Sequence, residues 1–159
     1  MKSILYPINH QFQEEMPMTA VTPYLFFSGR CEEALAFYTQ AIGAQVGMVL
    51  HFHESPEPPP PGILAPGFEK KVMHAEFRVG KTQVFASDGC DDKTRFSGFS
   101  LALSLPTVEE ADRAFEALAD SGHVTMPLSK TFWSESYGMV TDRFGMNWMV
   151  MVAGQPMED

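Results

Sequence analysis

The sequence lacks several features that define common classes of protein. Only Cys31 and Cys90 are cysteines, too few for a disulfide framework and typical of a reducing compartment. Eleven lysines and arginines stand against twenty acidic residues, giving a formal charge of −9, which disfavours phosphate backbones and anionic lipid as partners. No uncharged apolar run approaches the roughly 18 residues needed to span a bilayer, and Met1–Pro17 has no secretory apolar core. We therefore expect a cytoplasmic protein without nucleic-acid or membrane partners.

The motifs of several catalytic classes are also missing. The sequence contains no GxGxxG, Walker loop, GxSxG or CxxC, so nucleotide, serine-hydrolase and thioredoxin chemistry lack support. A methyltransferase needs a glycine-rich nucleotide loop after its first strand, and Ser28-Gly29-Arg30 does not provide one. The composition is nevertheless globular, with 45% hydrophobic and 19% charged residues, and a chain of this length forms a core without metal or disulfide.

Two helices and one long loop organise the chain. Apolar residues recur at helical spacing through Cys31–Ile42, which Gly43 closes. A second stripe predicts a helix over Thr107–Asp120, where Thr107 and Glu110 form a capping-box signature. Six of the twelve prolines lie in Ser55–Pro66, which predicts an extended loop because proline is excluded from helix interiors and central strands.

Strands surround these helices in a repeated order. Shifting the sequence by 77 residues places Glu32-Glu33-Ala34 on Glu109-Glu110-Ala111 and Tyr38 on Phe115. The order β-α-β-β-β therefore occurs twice, and each half must cover one sheet face by pairing with the other. The fold class that follows is α+β. The located strands are Val21–Phe27, Gln45–His53, Val72–Val79, Thr82–Ser87, Phe99–Leu105, Tyr137–Thr141 and Asn147–Val152.

Short motifs along the chain resemble one branch of a known superfamily. They are Pro23-Tyr24-Leu25-Phe26-Phe27, Glu32-Glu33-Ala34, Phe37-Tyr38, Gly43-Ala44, Met73-His74-Ala75, Ser87-Asp88, Ser97-Gly98-Phe99, Thr131-Phe132-Trp133, and Val140-Thr141-Asp142-Arg143-Phe144-Gly145 with Trp148. Together they resemble the PhnB-like branch of the vicinal oxygen chelate superfamily, which contains glyoxalases, bleomycin-resistance proteins and dioxygenases. The branch is also labelled a "3-demethylubiquinone-9 3-methyltransferase" domain.

The resemblance implies an architecture and domain boundaries. It implies two βαβββ modules whose sheets form half-cups around a shared pocket, usually in a homodimer. We expect the domain at residues 18–153, with modules at about 20–90 and about 97–153. Residues 1–17 are then an extension, either a real arm or the product of a mis-assigned start, and residues 154–159 a tail.

The resemblance also locates four metal-ligand positions. Family metalloenzymes hold a divalent ion through side chains on the first and last strands of each module, typically His, Glu or Gln. Here the positions fall on Pro23, on Ala86 or Ser87, on Ser100 and on Met149. Prolyl, alanyl and methionyl side chains are not ligands for hard or borderline divalent ions, so we expect the usual metal site to be absent and no cofactor to be required.

Another cluster of polar residues is the candidate catalytic group. His74 and Glu76 share one side of a strand, and Asp88 follows the next strand. Such residues perform acid–base work or bind a divalent metal, whereas the alternative is a buried histidine paired with an acid in a pocket wall. His51 and His53 also share a strand face, but a closed metal site needs three or four donors, so exposed strand residues are the better interpretation.

The remaining candidates are ligand-binding residues. Ser100, Met149 and Met151 are expected inside the cup, with Met139 on the adjacent strand, and Phe132, Trp133 and Tyr137 at its rim. An apolar cavity with a few polar groups is typical of small-molecule sites, although a plain core with methionine fillers has the same pattern. Arg78, on the same side as His74, is the residue able to receive a phosphonate.

Three functional hypotheses remain open. The first is a glyoxalase-like protein that binds a partly apolar metabolite without the usual metal. The second is a metal-dependent lyase, isomerase or dioxygenase with a rearranged site at His74, Glu76 and Asp88. The third is a structural dimer without a ligand.

Overall fold

Two βαβββ modules build the protein, described here from a computed structural model covering residues 19–154. The predicted extension at 1–17 and tail residues 155–159 lie outside the described residues. The first module contains β1 (Tyr24–Phe26), α1 (Cys31–Ile42), β2 (Gln45–His51), β3 (Val72–Val79) and β4 (Thr82–Ser87). The second contains β5 (Leu101–Leu105), α2 (Val108–Ala119), β6 (His123–Ser129), β7 (Tyr137–Thr141) and β8 (Asn147–Val152).

Each module forms its own four-stranded sheet, with the same topology. The first sheet has the order β1-β4-β3-β2 and the second β5-β8-β7-β6. The first and last strands of each module pair in parallel, whereas the other pairs are antiparallel. The first residues of α1 and α2, Cys31 and Val108, are 77 positions apart, which is the shift that relates the two halves of the sequence.

The sequence correctly predicts the residue that ends α1 and the residue that caps the start of α2. Gly43 closes α1 in the left-handed conformation (φ 68°), which glycine adopts without steric strain. The Thr107 side chain accepts a hydrogen bond from the Glu110 amide at the start of α2, satisfying one of the free N–H groups of the first turn.

The two helices lie between the sheets and share one hydrophobic core. The inner faces of both sheets and both helices contribute to a single buried cluster. Tyr38 of α1 contacts both sheets, because its ring is 6.0 Å from the Phe77 ring and 5.5 Å from the Trp148 ring. The outer face of each sheet is therefore turned away from this core.

Most predicted elements are confirmed, and the differences have local causes. The bounds of α1, β3, β4, β7 and β8 match the prediction. The strand predicted over Val21–Phe27 is shortened to Tyr24–Phe26, because only these residues pair with β4. The repeat implies a strand after α2 without giving its bounds, and β6 is that strand. It contains Pro127, and its edge position tolerates a residue without an N–H.

The proline-rich loop contains neither helix nor strand, as predicted. Short 3-10 helices at Phe52–Glu54 and Phe68–Lys70 flank it, and the Ala65 amide donates to the Cys90 carbonyl at 2.8 Å. Within the described part of the chain, no helix is both long and apolar enough to cross a membrane.

Candidate functional site

The outer face of the first sheet carries three of the candidate residues. Ala75 and Phe77 of β3 are buried in the core, so the alternation of side chains along a strand turns His74, Glu76 and Arg78 to the outer face. Burial along β3 agrees, since these three residues retain accessible surface. The structure thus brings His74 and Glu76 together, with the His74 Nε2 atom 3.5 Å from Glu76 Oε1.

A tyrosine completes this group. The Tyr24 hydroxyl lies 2.8 Å from His74 Nδ1, and Gln83 donates a 3.1 Å hydrogen bond to the other carboxylate oxygen of Glu76. The four side chains come from β1, β3 and β4, which are neighbours in the sheet. Burial raises the pKa of Tyr24 above its ordinary value, because a phenolate is poorly solvated there. Tyr24, His74, Glu76 and Gln83 are called the polar chain below.

Aromatic rings surround the polar chain. Phe85 lies 5.1 Å from the His74 ring and 5.9 Å from Tyr24, and Phe26 stacks on Tyr24 at 5.1 Å. Phe26 remains 42% exposed and Tyr24 40% exposed. A planar group that lies on this face can therefore contact ring surface and a hydroxyl group at once.

Asp88 does not join this site, which corrects its expected grouping with His74 and Glu76. Its carboxylate is buried and accepts hydrogen bonds from the Cys31 and Val72 amides, each at 2.7 Å. Cys31 is the first residue of α1, where free N–H groups and the helix dipole favour a negative charge. Asp88 fastens β4 to the helix side of the sheet instead of facing the outer side.

Arg78 lies further along the same outer face. It pairs in register with Gln45 across the ladder and is exposed. A cavity of about 330 Å³ beside it is also lined by Glu76 and Gln83. Glu76 and Gln83 belong to the polar chain and also line this cavity, so the cavity beside Arg78 adjoins the polar chain.

The outer face of the second sheet is dominated by methionine. Met126 pairs with Met139, and Met139 pairs with Met149, so the three form a row across β6, β7 and β8. Ser100, Met139 and Met149 line a cavity of about 490 Å³. The structure therefore brings Ser100 and Met149 together with Met139, whereas Met151, also expected inside the cup, does not line this cavity.

The remaining ligand-binding candidates extend this face toward the end of β8. Met151 pairs with Tyr137, and the Trp133 ring lies 5.5 Å from Tyr137. Trp133 and the 95% exposed Phe132 line a separate cavity of about 550 Å³ near Gly154. The aromatic segment predicted at the rim is thus beside the methionine face, but it does not line the Met149 cavity.

The residues at the family's metal positions do not fit a divalent ion. On the first strand, Leu25 is buried, and the residue beside Pro23 that turns outward to His74 is Tyr24. On β4, Ala86 and Ser87 are buried, and the outward residue is Phe85. Phenylalanine and the thioether of Met149 are not ligands for hard or borderline divalent ions. Among residues 19–154, no three His, Cys, Asp or Glu side chains form a group that could hold a metal.

His51 is held by carboxylates at the end of β2. Its Nε2 lies 2.7 Å from Glu32 and its Nδ1 2.8 Å from Glu54. These contacts, Glu32 first, raise the pKa of His51. His51 thus links α1 to the segment that enters the proline-rich loop, whereas His53 beside it is exposed.

Sequence reasoning missed the outward residues Tyr24, Phe26 and Phe85. The first strand reads as a continuous apolar run, so its sequence gives no alternation from which to assign faces. Register supplies the missing signal, because Tyr24 pairs with Phe85 and Phe85 with Glu76.

Comparison with known proteins connects this geometry to a family. A family model described as 3-demethylubiquinone-9 3-methyltransferase matches residues 19–151. Protein YjdN of Escherichia coli is 36% identical over 143 residues, covering 85% of this chain and 96% of YjdN.

Solved structures with similar folds include members of the same family. Protein PA1353 from Pseudomonas aeruginosa has a TM-score of 0.75 at 39% identity, covering 87% of this chain and all of that one. A putative 3-demethylubiquinone-9 3-methyltransferase, the PhnB protein from Bacillus cereus, has a TM-score of 0.71 at 28% identity, covering 85% and 100%. A glyoxylase/bleomycin resistance protein/dioxygenase domain from Frankia shares the fold, with a TM-score of 0.59 at 12% identity over 88% of this chain and 100% of that domain.

Proposed function

The chain belongs to the 3-demethylubiquinone-9 3-methyltransferase (PhnB-like) family with the glyoxalase/bleomycin-resistance fold, and we propose that it binds a small, partly apolar molecule on the outer faces of its sheets. One observation carries this proposal: several large apolar and aromatic side chains that alternate with the buried core residues remain accessible on the outer faces. Tyr24, Phe26 and Met126 are each at least 40% exposed on these faces. Exposed apolar faces of this kind mark ligand or partner sites.

Methionine suits the second sheet to such a ligand. Its unbranched side chain adapts to irregular shapes, and its sulfur contacts aromatic rings favourably. The outer face presents an apolar surface with one polar group: the row of Met126, Met139 and Met149 lies next to the hydroxyl of Ser100. This combination favours a molecule with an apolar body and a polar substituent.

We also propose that the complete pocket forms in a homodimer. In one chain the two outer faces point away from a common core, and each cavity on them is lined by strands of one module. A second copy can bring the first-sheet face of one chain to the second-sheet face of the other. A pocket shared by two half-cups then combines the polar chain with the methionine row.

Methyl transfer, the activity in the family's name, receives no support from the loop after β1. The Ser28 hydroxyl donates to the Thr94 carbonyl, and the Gly29 carbonyl accepts from Lys71. These groups are occupied within the protein, and the loop lacks the glycine spacing that cradles a nucleotide.

A ligand screen tests the binding proposal. A metabolite library that includes S-adenosylmethionine is scanned for compounds that raise the melting temperature, since ligands bound to the folded state stabilise it. We expect a partly apolar hit that is lost in Met149→Glu and retained in Lys93→Gln, a charge change of the same size and sign in an exposed loop. A library without any hit, or a hit unaffected by Met149→Glu, contradicts the proposal.

Sedimentation of the same proteins tests the shared pocket. We expect a dimer whose bound ligand contacts both chains. A protein that sediments as a monomer and still binds the ligand contradicts the dimer proposal. The proposal that a single face binds the ligand then still stands.

A further inference from the structure

Both nitrogens of His74 face protein groups, and these groups favour one arrangement of its protons. Glu76 can only accept a hydrogen bond, and its Oε1 lies 3.5 Å from Nε2, an ion-pair distance rather than a hydrogen bond; we assign the proton to Nε2 on this ground. Nδ1 is then unprotonated and accepts the 2.8 Å hydrogen bond donated by the Tyr24 hydroxyl. The order is hydroxyl, imidazole, carboxylate, in which each group can receive a proton from the one before it.

Tyr24 is the member of this chain that a ligand can reach. The nitrogens of His74 are occupied, whereas the Tyr24 side chain is 40% exposed and its oxygen keeps a free acceptor position after donating to His74. Glu76 is held from the side by Gln83. A polar ligand group on this face therefore meets the Tyr24 oxygen first.

We propose that Tyr24, His74 and Glu76 form a proton relay that binds a planar molecule with an acidic hydroxyl group, a phenol or an enol, and accepts its proton. This inference rests on the proposed function, because it names the class of molecule bound at the first-sheet face. The alternative, that this face binds apolar molecules without an acidic hydroxyl group, is one of the outcomes of the test below.

The proton transfer balances without an oxidant or a co-reactant. The ligand O–H bond breaks and its proton passes to the Tyr24 oxygen as the Tyr24 proton passes to His74 Nδ1. The ligand becomes an oxyanion that accepts a hydrogen bond from Tyr24, and His74 becomes an imidazolium. Glu76 stabilises that cation through Nε2–H, in the way a carboxylate orients and stabilises the histidine of a catalytic triad.

The rings around the relay favour a planar ligand. Phe26 and Phe85 flank Tyr24 at ring distances of 5.1 Å and 5.9 Å, and aromatic pairs prefer stacked or edge-on contacts at such separations. Glu76 and Arg78 of β3 are charged residues on this face. Arg78 lines the neighbouring cavity with Glu76.

A coloured phenol provides the test. 4-Nitrophenol absorbs differently as phenol and phenolate, so absorbance reports where the proton lies when the probe is bound. At a pH where the free probe is mostly neutral, we expect wild-type protein to raise the phenolate-to-phenol ratio by about tenfold, equivalent to one pKa unit. Binding itself is followed by chemical-shift changes in the protein.

Two variants separate proton transfer from simple contact. In His74→Gln the side-chain carbonyl can still accept from Tyr24 but cannot take a proton, so we expect the probe to bind as the neutral phenol. In Glu76→Gln the imidazolium loses its counter-charge, and we expect the phenolate ratio to fall toward that of the free probe. Lys81→Gln, at the exposed β3–β4 turn, is the control and is expected to behave as wild type.

Several results would overturn the relay. Nitrogen-15 NMR of the ligand-free protein is expected to show His74 protonated at Nε2, and the opposite tautomer contradicts the proposal without any ligand. A probe bound as neutral phenol by wild type, or no binding at millimolar concentration, also contradicts it. Hits in the metabolite screen together with a neutral bound probe reject the relay and leave the proposed function standing; a screen without hits rejects the proposed function separately.

Discussion

The hydroxyl of Tyr38 donates a 2.6 Å hydrogen bond to the carboxylate of Asp142, joining α1 to the turn between β7 and β8. Both side chains are buried. Asp142 also accepts from the Trp148 indole and from the Phe144 and Met146 amides. One carboxylate thus organises the turn of the second module and fastens it to the helix of the first.

Tyr38→Phe is therefore expected to lower the free energy of unfolding by about 1–3 kcal/mol, because a buried carboxylate loses one of its donors. Urea denaturation measures the change, with Tyr137→Phe, at a half-buried position on the outer side of the second sheet, as the control. Equal effects of the two substitutions would mean that the Tyr38–Asp142 bond contributes no more than a surface hydroxyl.

Asp88→Asn tests the reassignment of Asp88 from the candidate site to the fold. An amide oxygen can replace only one of the two carboxylate acceptors that hold the Cys31 and Val72 amides. We expect a loss of about 1–3 kcal/mol in stability with ligand affinity unchanged below the unfolding transition. Asp112→Asn, on the exposed face of α2, serves as comparison. A stable Asp88→Asn protein that no longer binds ligand would restore the original grouping with His74.

His51 is expected to make stability depend on pH. Its pKa is raised above the ordinary 6.5, so its contribution is complete below 6.5 and is lost as the pH rises through the higher pKa of the folded protein. Hydrogen bonds from the backbone and side chain of His51 lower the pKa of Glu54. The stabilisation that ionised Glu54 contributes is therefore lost as the pH falls through that lowered pKa. The melting-temperature difference between wild type and His51→Gln should therefore peak in mildly acidic buffer. His53→Gln is the control, and a difference independent of pH would contradict this role.

Gly138 on β7 is expected to tolerate no larger residue. A Cβ there would lie 2.9 Å from the Met126 carbonyl oxygen and 2.9 Å from the Phe115 ring. Gly138→Ala should reduce stability by about 1–3 kcal/mol through overpacking. At Gly47 the nearest atom to a Cβ is 3.6 Å away, so Gly47→Ala is the matched control. A neutral Gly138→Ala would show that both α2 and the backbone of β6 can move away from β7.

Periodicity predicted the elements that bury one face, and it could not resolve the site. The helices and β3 have side chains that alternate or recur between core and solvent, so their bounds and the outward direction of His74 and Glu76 follow from the sequence. The partner of His74 does not. Tyr24 lies in a short strand that is apolar on both faces, and its place beside His74 depends on the pairing of β1 with β4.

Asp88 shows the opposite problem. Its position after β4 suggested a third polar group beside His74, but an acidic residue at a strand end serves equally well as an acceptor for free amides. Only the arrival of α1 over the sheet decides between these roles, because the Cys31 amide is supplied by that helix. Tertiary contact, rather than local sequence, determined this function.

The parallel pairing of β1 with β4, and of β5 with β8, has a consequence for synthesis on the ribosome. The first strand of each module has no sheet partner until the last strand of that module has been made. Contacts so distant in sequence form slowly, and an incomplete sheet exposes apolar edges that favour aggregation. The Tyr38–Asp142 hydrogen bond likewise cannot form until Asp142 has been synthesised. We therefore expect nascent chains that stop before β8 to remain protease-sensitive in both modules. Protection should arise in both modules together once Val152 has left the exit tunnel.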